Sequence, residues 1–249
     1  MADHPNEPFT LPTAMPRKNN IIVSLDFDSA SEALELVEQL GPSAQFYKVG
    51  LQLLTAAGPT VVRKLISGGK EVFLDLKLHE IPTSVAGAVT AAGALGASMV
   101  TVHASGGSAV LRAAVEAARP FPELKVLALT VITSLRDEDL TELGLNATVP
   151  EQVVRLAKLA AAAGCHGVVA SAKEALLLRG VLPEEMLIVT PGTQLQTDPK
   201  NDQARVATPF DAVRWGANHV VIGRSISRSV NPSQTLAVIQ AQLDEAGSS

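Results

Sequence analysis

Residues 71–95 read EVFLDLKLHEIPTSVAGAVTAAGAL: a β-rich run, a proline, then an alanine-rich helical pattern. Side chains two apart on a strand share a face. Over 71–78 this puts Phe73, Asp75 and Lys77 on one side and Val72, Leu74, Leu76 and Leu78 on the other. The leucine face suits packing against helices, which turns the charged face toward the opposite side of the sheet. A buried ion is costly unless it is paired, and Asp75 beside Lys77 meets that condition. On this strand alone, an ion pair capping the core and a catalytic pair read equally well.

The same strand-then-helix unit recurs along the chain. Strands are expected at 20–26 (NIIVSLD), 46–50 (FYKVG), 71–77 (EVFLDLK), 98–104 (SMVTVHA), 125–133 (KVLALTVIT), 167–171 (GVVAS), 186–192 (MLIVTPG) and 219–225 (HVVIGRS). Helical spacing of apolar residues appears between them, at 29–40, 61–67, 85–95 and 150–164 among others, and alanine enrichment favours helix there. Eight such units predict a parallel sheet, and eight is the number that closes a single (β/α)8 TIM barrel. A doubly wound open sheet is the alternative, although the first strand's turn lacks G-x-G-x-x-G.

Polar residues gather where the strands end: Asp26, Lys48, Asp75, Lys77, His103, Thr133 and Arg224. In a barrel those ends form the catalytic face. Lys48 ends the strand expected to neighbour 71–77, so it can flank Asp75 on the side away from Lys77. A Lys–Asp–Lys row would hold net positive charge in a confined place, suited to negative charge developing on a substrate.

Composition agrees with one large α/β domain. The chain has 249 residues, 47% hydrophobic and only 3% aromatic, so its core must be built from Val, Leu, Ile and Ala. A net charge of −5 argues against a general nucleic-acid binder. It leaves room for a small anionic ligand, because backbone N–H groups can hold a phosphate on an acidic protein. Cys165 is the single cysteine, which removes intrachain disulfides and thiolate metal clusters and reads as a buried, inert thiol. No apolar run reaches membrane-spanning length, and the opening MADHPNEPFTLPTAMPRKNN has no apolar signal core. Residues 1–19 are expected to form a flexible arm, residues 20–249 the barrel, and the protein to be cytoplasmic.

Two loops suggest a phosphate. VIGRSIS (221–227) leaves the last strand through Gly223 and Arg224 into a helix, combining close backbone approach, free N–H groups and a bidentate donor. The seventh loop, PGTQLQTDPKNDQARV (191–206), is long, polar and glutamine-rich; it reads as a closing lid or as an ordinary excursion.

With these pieces in place, the chain from about Ile21 to the last helix resembles the orotidine 5'-phosphate decarboxylase family. The motifs SLD, YKVG, FLDLKLHEIPTSV, TVHASGG, LTVITS, VTPG, DQARV and VIGRSIS occur in that family's order. The resemblance implies cofactor-independent conversion of orotidine 5'-phosphate to UMP, the last step of de novo pyrimidine biosynthesis. Asp26 and Lys48 would contact the ribose hydroxyls, with Lys48 also in the charged row. Asp75 would lie against the substrate carboxylate while Lys77 protonates C6 as carbon dioxide leaves. Ile81, Ser84 and Thr133 would line the substrate, Thr133 against the pyrimidine, with Gln194, Gln203, Gly223 and Arg224 on the phosphate side. The family works as a homodimer whose loop acid, here Glu80, enters the partner's site; neither nucleic acid nor membrane is an expected partner. Three letters depart from the family pattern: Glu80 stands for Asp, Gln194 for the Arg of TPGIR, and Ser84 for Thr. The first lengthens an arm by a methylene, the second gives up a charge, and the third keeps its hydroxyl.

Two rivals follow from the same residues. A phosphosugar enzyme similar to the 3-keto-L-gulonate 6-phosphate decarboxylases would use a metal, with Asp75, His79, Glu80 and His103 as its available ligands. A non-enzymatic sensor would bind a UMP-like phosphate ligand and release no carbon dioxide.

Overall fold

The computed structural model describes residues 21–195 and 207–246. The expected arm at 1–19, Gln203 and most of the seventh loop lie outside those residues. The strands are β1 (Ile21–Ser24), β2 (Phe46–Gly50), β3 (Glu71–Leu78), β4 (Met99–His103), β5 (Lys125–Leu129), β6 (Gly167–Val169), β7 (Leu187–Thr190) and β8 (His219–Ile222). They pair in parallel in sequence order and β8 returns to β1, closing the barrel and ruling out an open doubly wound sheet. The helices are α1 (Ala30–Leu40), α2 (Leu51–Ala57), α3 (Thr60–Ser67), α4 (Pro82–Leu95), α5 (Gly107–Ala118), α6 (Asp137–Glu142), α7 (Val149–Ala162), α8 (Ala172–Arg179), α9 (Pro209–Arg214), α10 (Arg224–Ser227) and α11 (Pro232–Ala246).

Local chemistry sets several boundaries. Ser29 caps α1 by accepting from the Glu32 N–H, and Thr148 and Glu151 form a reciprocal capping box at α7. The fourth helix starts at Pro82, earlier than its apolar spacing suggests, because proline fits the first helical turn, where no intrahelical N–H bond is lost. Gly93 in α4 lies against the Phe121 ring: a Cβ there would fall 2.3 Å from a ring carbon. That close approach seats α4 against the segment following α5.

Several strands end two or three residues before their expected limits, as at 20–26, 167–171, 186–192 and 219–225, and two expectations need a larger correction. Residues 130–133 do not continue β5: Thr130 donates both its N–H and its hydroxyl to the Val169 carbonyl, and the chain then turns, with the Leu135 N–H on the Ile132 carbonyl. The β-branched TVIT run imitates strand without a ladder to support it. In β3 the regular alternation fails near the end. Leu74 pairs with Val100 and Leu78 with Val102, so the strand bulges between them, and Lys77 takes φ 49°.

Alternation still sorts the two cores. Phe73 faces inward with Ile22, Phe46, Met99, Leu127, Leu129, Val169, Val189 and Val221, while Val72 and Leu74 join the larger core between sheet and helices. Aliphatic residues dominate both, as the low aromatic content requires. Each fully buried side chain of this size contributes about 1.5–3 kcal/mol relative to exposure. On the first four strands the inward stripe begins apolar and then turns polar: Ile22–Ser24, Phe46–Lys48, Phe73–Asp75 and Met99–Thr101, with Asp26, Lys77 and His103 following at three of the strand ends. The apolar bases fill the barrel and the polar ends meet at its C-terminal mouth.

Candidate active site

Three of those stripes assemble an alternating charge row. Lys77 Nζ lies 2.8 Å from Asp75 Oδ1, Lys48 Nζ 3.7 Å from Asp75 Oδ2, and Lys48 Nζ 3.1 Å from Asp26 Oδ1. The sequence places Lys48 and Lys77 on either side of Asp75, and the structure brings them there. It corrects the expected net positive charge. Asp26 joins the row, drawn in by Lys48 and by the Ser24 hydroxyl, which donates to Asp26 Oδ2 at 2.7 Å. Two carboxylates and two ammoniums make the row formally neutral.

Burial grades along it. The side chains of Asp75 and Lys48 retain 10% and 11% of their exposure, Lys77 34% and Asp26 52%. The middle of the row is therefore dry while Lys77 opens to the mouth, where a ligand would sit. Burial by itself would raise the Asp75 pKa. The charges of Lys48 and Lys77, with hydrogen bonds from Lys77 and Thr101, outweigh it and hold Asp75 below the ordinary carboxylate value. Asp75 is thus kept ionised against the opposing effect of desolvation.

Glycines make room around the row. A Cβ on Gly50 would lie 3.0 Å from Lys48 Nζ, and one on Gly223 would lie 3.4 Å from the Ser24 Cβ and 3.7 Å from Asp26 Oδ2. Gly223 therefore sits against the Asp26 end and leads into α10, which begins with Arg224. Thr133 stays buried at the mouth although it lies beyond the strand. Gln194 is buried where the chain leaves β7, its N–H on the Ala207 carbonyl at 3.1 Å.

The loop after β3 behaves differently. Glu80, Ile81 and Ser84 are exposed, and the Glu80 carboxylate folds back on the Ile81 N–H. Among the described residues Glu80 makes no ion pair with either lysine of the row, so one chain does not unite them. His79 and His103 stack at 5.0 Å. Burial first, then His79 and Lys77, push the His103 pKa down, and its Nδ1 accepts from the Ser105 N–H. Asp75, His79, Glu80 and His103 do not converge, and no group of three or more His, Cys, Asp or Glu among the described residues is placed to hold a metal ion.

Sequence reading missed Ser24, Gly50 and Thr101. A usable signal existed for the first and last: each is a polar residue on an inward stripe, two positions beyond an apolar one.

This geometry coincides with a family match. Residues 19–239 match the model of the orotidine 5'-phosphate decarboxylase / HUMPS family. The chain belongs to this family. Its relatives include the orotidine 5'-phosphate decarboxylase of Saccharophagus degradans, 44% identical over 227 residues, covering 91% of this chain and 95% of that one. That of Tolumonas auensis is also 44% identical, covering 90% and 97%. The crystal structure of orotidine 5'-phosphate decarboxylase from Lactobacillus acidophilus superposes with a TM-score of 0.82 at 33% identity, covering 91% of this chain and all of that one.

Proposed function

We propose that this family member decarboxylates orotidine 5'-phosphate to UMP, without a cofactor, at the Asp26–Lys48–Asp75–Lys77 row. The observation that carries the reading is the buried, ionised Asp75 gripped by two lysines at the barrel mouth, in a chain whose relatives bear that enzyme's name. Breaking the C6–carboxylate bond leaves an electron pair on C6 with no ring carbonyl placed to absorb it by simple enolisation. Stabilisation must then come from fixed charge. The Lys77 ammonium faces that carbon, and its proton forms the new C6–H bond as carbon dioxide departs; solvent reprotonates the amine. Asp75 orients Lys77 and keeps it charged, and its own negative charge disfavours the adjacent substrate carboxylate relative to neutral carbon dioxide.

Asp26 and Lys48 hold the ribose hydroxyls in this reading, and Thr133, Ile81 and Ser84 line the pyrimidine side. Gly223, Arg224, Gln203 and Gln194 take the phosphate side. Binding energy gathered there, remote from C6, can be spent on organising the row. The exposed Glu80 serves the partner's site in a homodimer. We assign the enzyme to the cytoplasm on the strength of its biosynthetic relatives; separately, no helix among the described residues is long and apolar enough to cross a membrane.

The test is release of carbon dioxide from orotidylate by the purified chain, with and without chelator. Full activity in chelator is expected. Activity lost to chelator and restored by a divalent cation would favour the metal-dependent rival, while UMP binding with no carbon dioxide would favour the sensor.

A further inference from the structure

Thr101 lies inward on β4, fully buried between Met99 and His103. Its hydroxyl accepts from the Lys77 N–H at 2.9 Å and donates to Asp75 Oδ1 at 3.0 Å. We propose that Thr101 is a positioning residue, its one hydroxyl fixing both the backbone turn that presents Lys77 and the carboxylate that Lys77 pairs with. The proposal rests on the reading of Lys77 as the proton donor.

The bulge explains why a hydroxyl is needed. From Leu74 to Leu78 the strand advances four residues while its partner advances two, from Val100 to Val102. The intervening chain leaves the ladder, and a backbone N–H that leaves a buried ladder must find another acceptor. Lys77 is also the one non-glycine among the described residues with positive φ, a conformation that persists only where its surroundings hold it. The Thr101 oxygen supplies the missing acceptor at that residue. A hydroxyl carries a single proton. With a lone pair committed to the Lys77 N–H, that proton goes to Asp75 Oδ1, the oxygen that Lys77 Nζ also holds at 2.8 Å.

The contacts close a ring: Lys77 amide, Thr101 hydroxyl, Asp75 carboxylate, Lys77 ammonium. Each member limits the freedom of the next, so the flexible lysine chain is fixed at both ends. Its backbone is held through the amide and its ammonium through Asp75. Valine would occupy nearly the same space while leaving the Lys77 N–H without its acceptor and Asp75 without one donor.

The experiment compares Thr101→Val, Thr101→Ala and Thr101→Ser in the full chain. It measures kcat for carbon dioxide release, UMP affinity, the thermal midpoint and hydrogen exchange at the Lys77 amide. Whichever of the Val and Ala variants folds should lose about 10²-fold in kcat, the scale expected for slight misplacement of a reacting group. Its UMP affinity should change by less than about threefold, a split that marks lost transition-state rather than ground-state interaction. Serine should recover most of the kcat. The Lys77 amide should exchange faster in the variants without a hydroxyl and at nearly the native rate with serine. A hydroxyl-free variant with native kcat, a serine variant no better than alanine, or unchanged Lys77 exchange would overturn the proposal. Failure of the native chain to release carbon dioxide would overturn the decarboxylase reading alone, because amide exchange still reads the Thr101 link.

Discussion

Two parts of one short stretch behave as opposites. Asp75 and Lys77 sit inside a row whose partners all come from the same chain, with contacts of 2.8–3.7 Å and a dry centre. A few residues further on, Glu80 and Ile81 face outward, with Ile81 60% exposed and the Glu80 carboxylate accepting, among the described residues, from its neighbour's backbone N–H. The strand half is closed by intrachain contacts, and the loop half faces solvent. The proposed homodimer would cover this loop with a second copy of the chain.

The largest effect that bears on this contrast comes from Glu80→Ala, expected to lower kcat by two orders of magnitude or so if the carboxylate completes a charged site. Mixing Glu80→Ala chains with Lys77→Ala chains then separates the two halves. Free subunit exchange puts half of the dimers in the hybrid form, each with one intact site, so about a quarter of native activity should return. No recovery, with exchange confirmed, would confine Glu80 to its own chain.

A smaller loss is expected from Gly50→Ala. The added methyl group would stand 3.0 Å from Lys48 Nζ, and the backbone there, with φ −96°, accepts alanine without strain. The ammonium must shift by a few tenths of an ångström from its place between Asp26 and Asp75. A fall in kcat/KM of about tenfold with an unchanged thermal midpoint is expected. Native kcat/KM would show that Lys48 tolerates displacement and that the row is looser than its distances imply.

The smallest effect is on stability in acid. Asp75 is held below its ordinary value near 3.8, so the unfolded chain binds its proton more readily than the folded one. Its contribution is therefore complete above that value and is lost as pH falls through the lowered one. His103, pushed below 6.5 by burial, His79 and Lys77, behaves in the same sense at higher pH. Urea midpoints should decline below about pH 6.5 and again below about 3.8, with Asp75→Asn flattening the second decline. An unaltered second decline would mean that acids elsewhere dominate it.

Much of this was legible in the letters because barrel strands repeat a simple code. The expected strand FYKVG coincides with Phe46–Gly50, whose last residue caps the next helix. The approach of Lys48 to Asp75 followed from strand adjacency and period two. What failed was whatever period two cannot carry. TVIT at 130–133 has strand composition, yet Thr130 spends its hydrogen bonds on Val169 and the chain turns away. Nothing about a lysine announces positive φ, so the bulge before Leu78 was hidden. Asp26 was visible as a strand-end acid, but its membership in the row depends on the Ser24 hydroxyl and on space left by Gly50 and Gly223, both tertiary facts. The partner role of Glu80 came from resemblance, and a single chain can show only that the loop points outward.

In the proposed reaction Lys77, held by Asp75, delivers the proton to C6. The direct test measures carbon dioxide release from orotidylate by native and Lys77→Ala chains, with UMP binding followed calorimetrically on the same preparations. The variant should bind UMP measurably and show no turnover above background. A Lys77→Ala chain that keeps near-native kcat would contradict it.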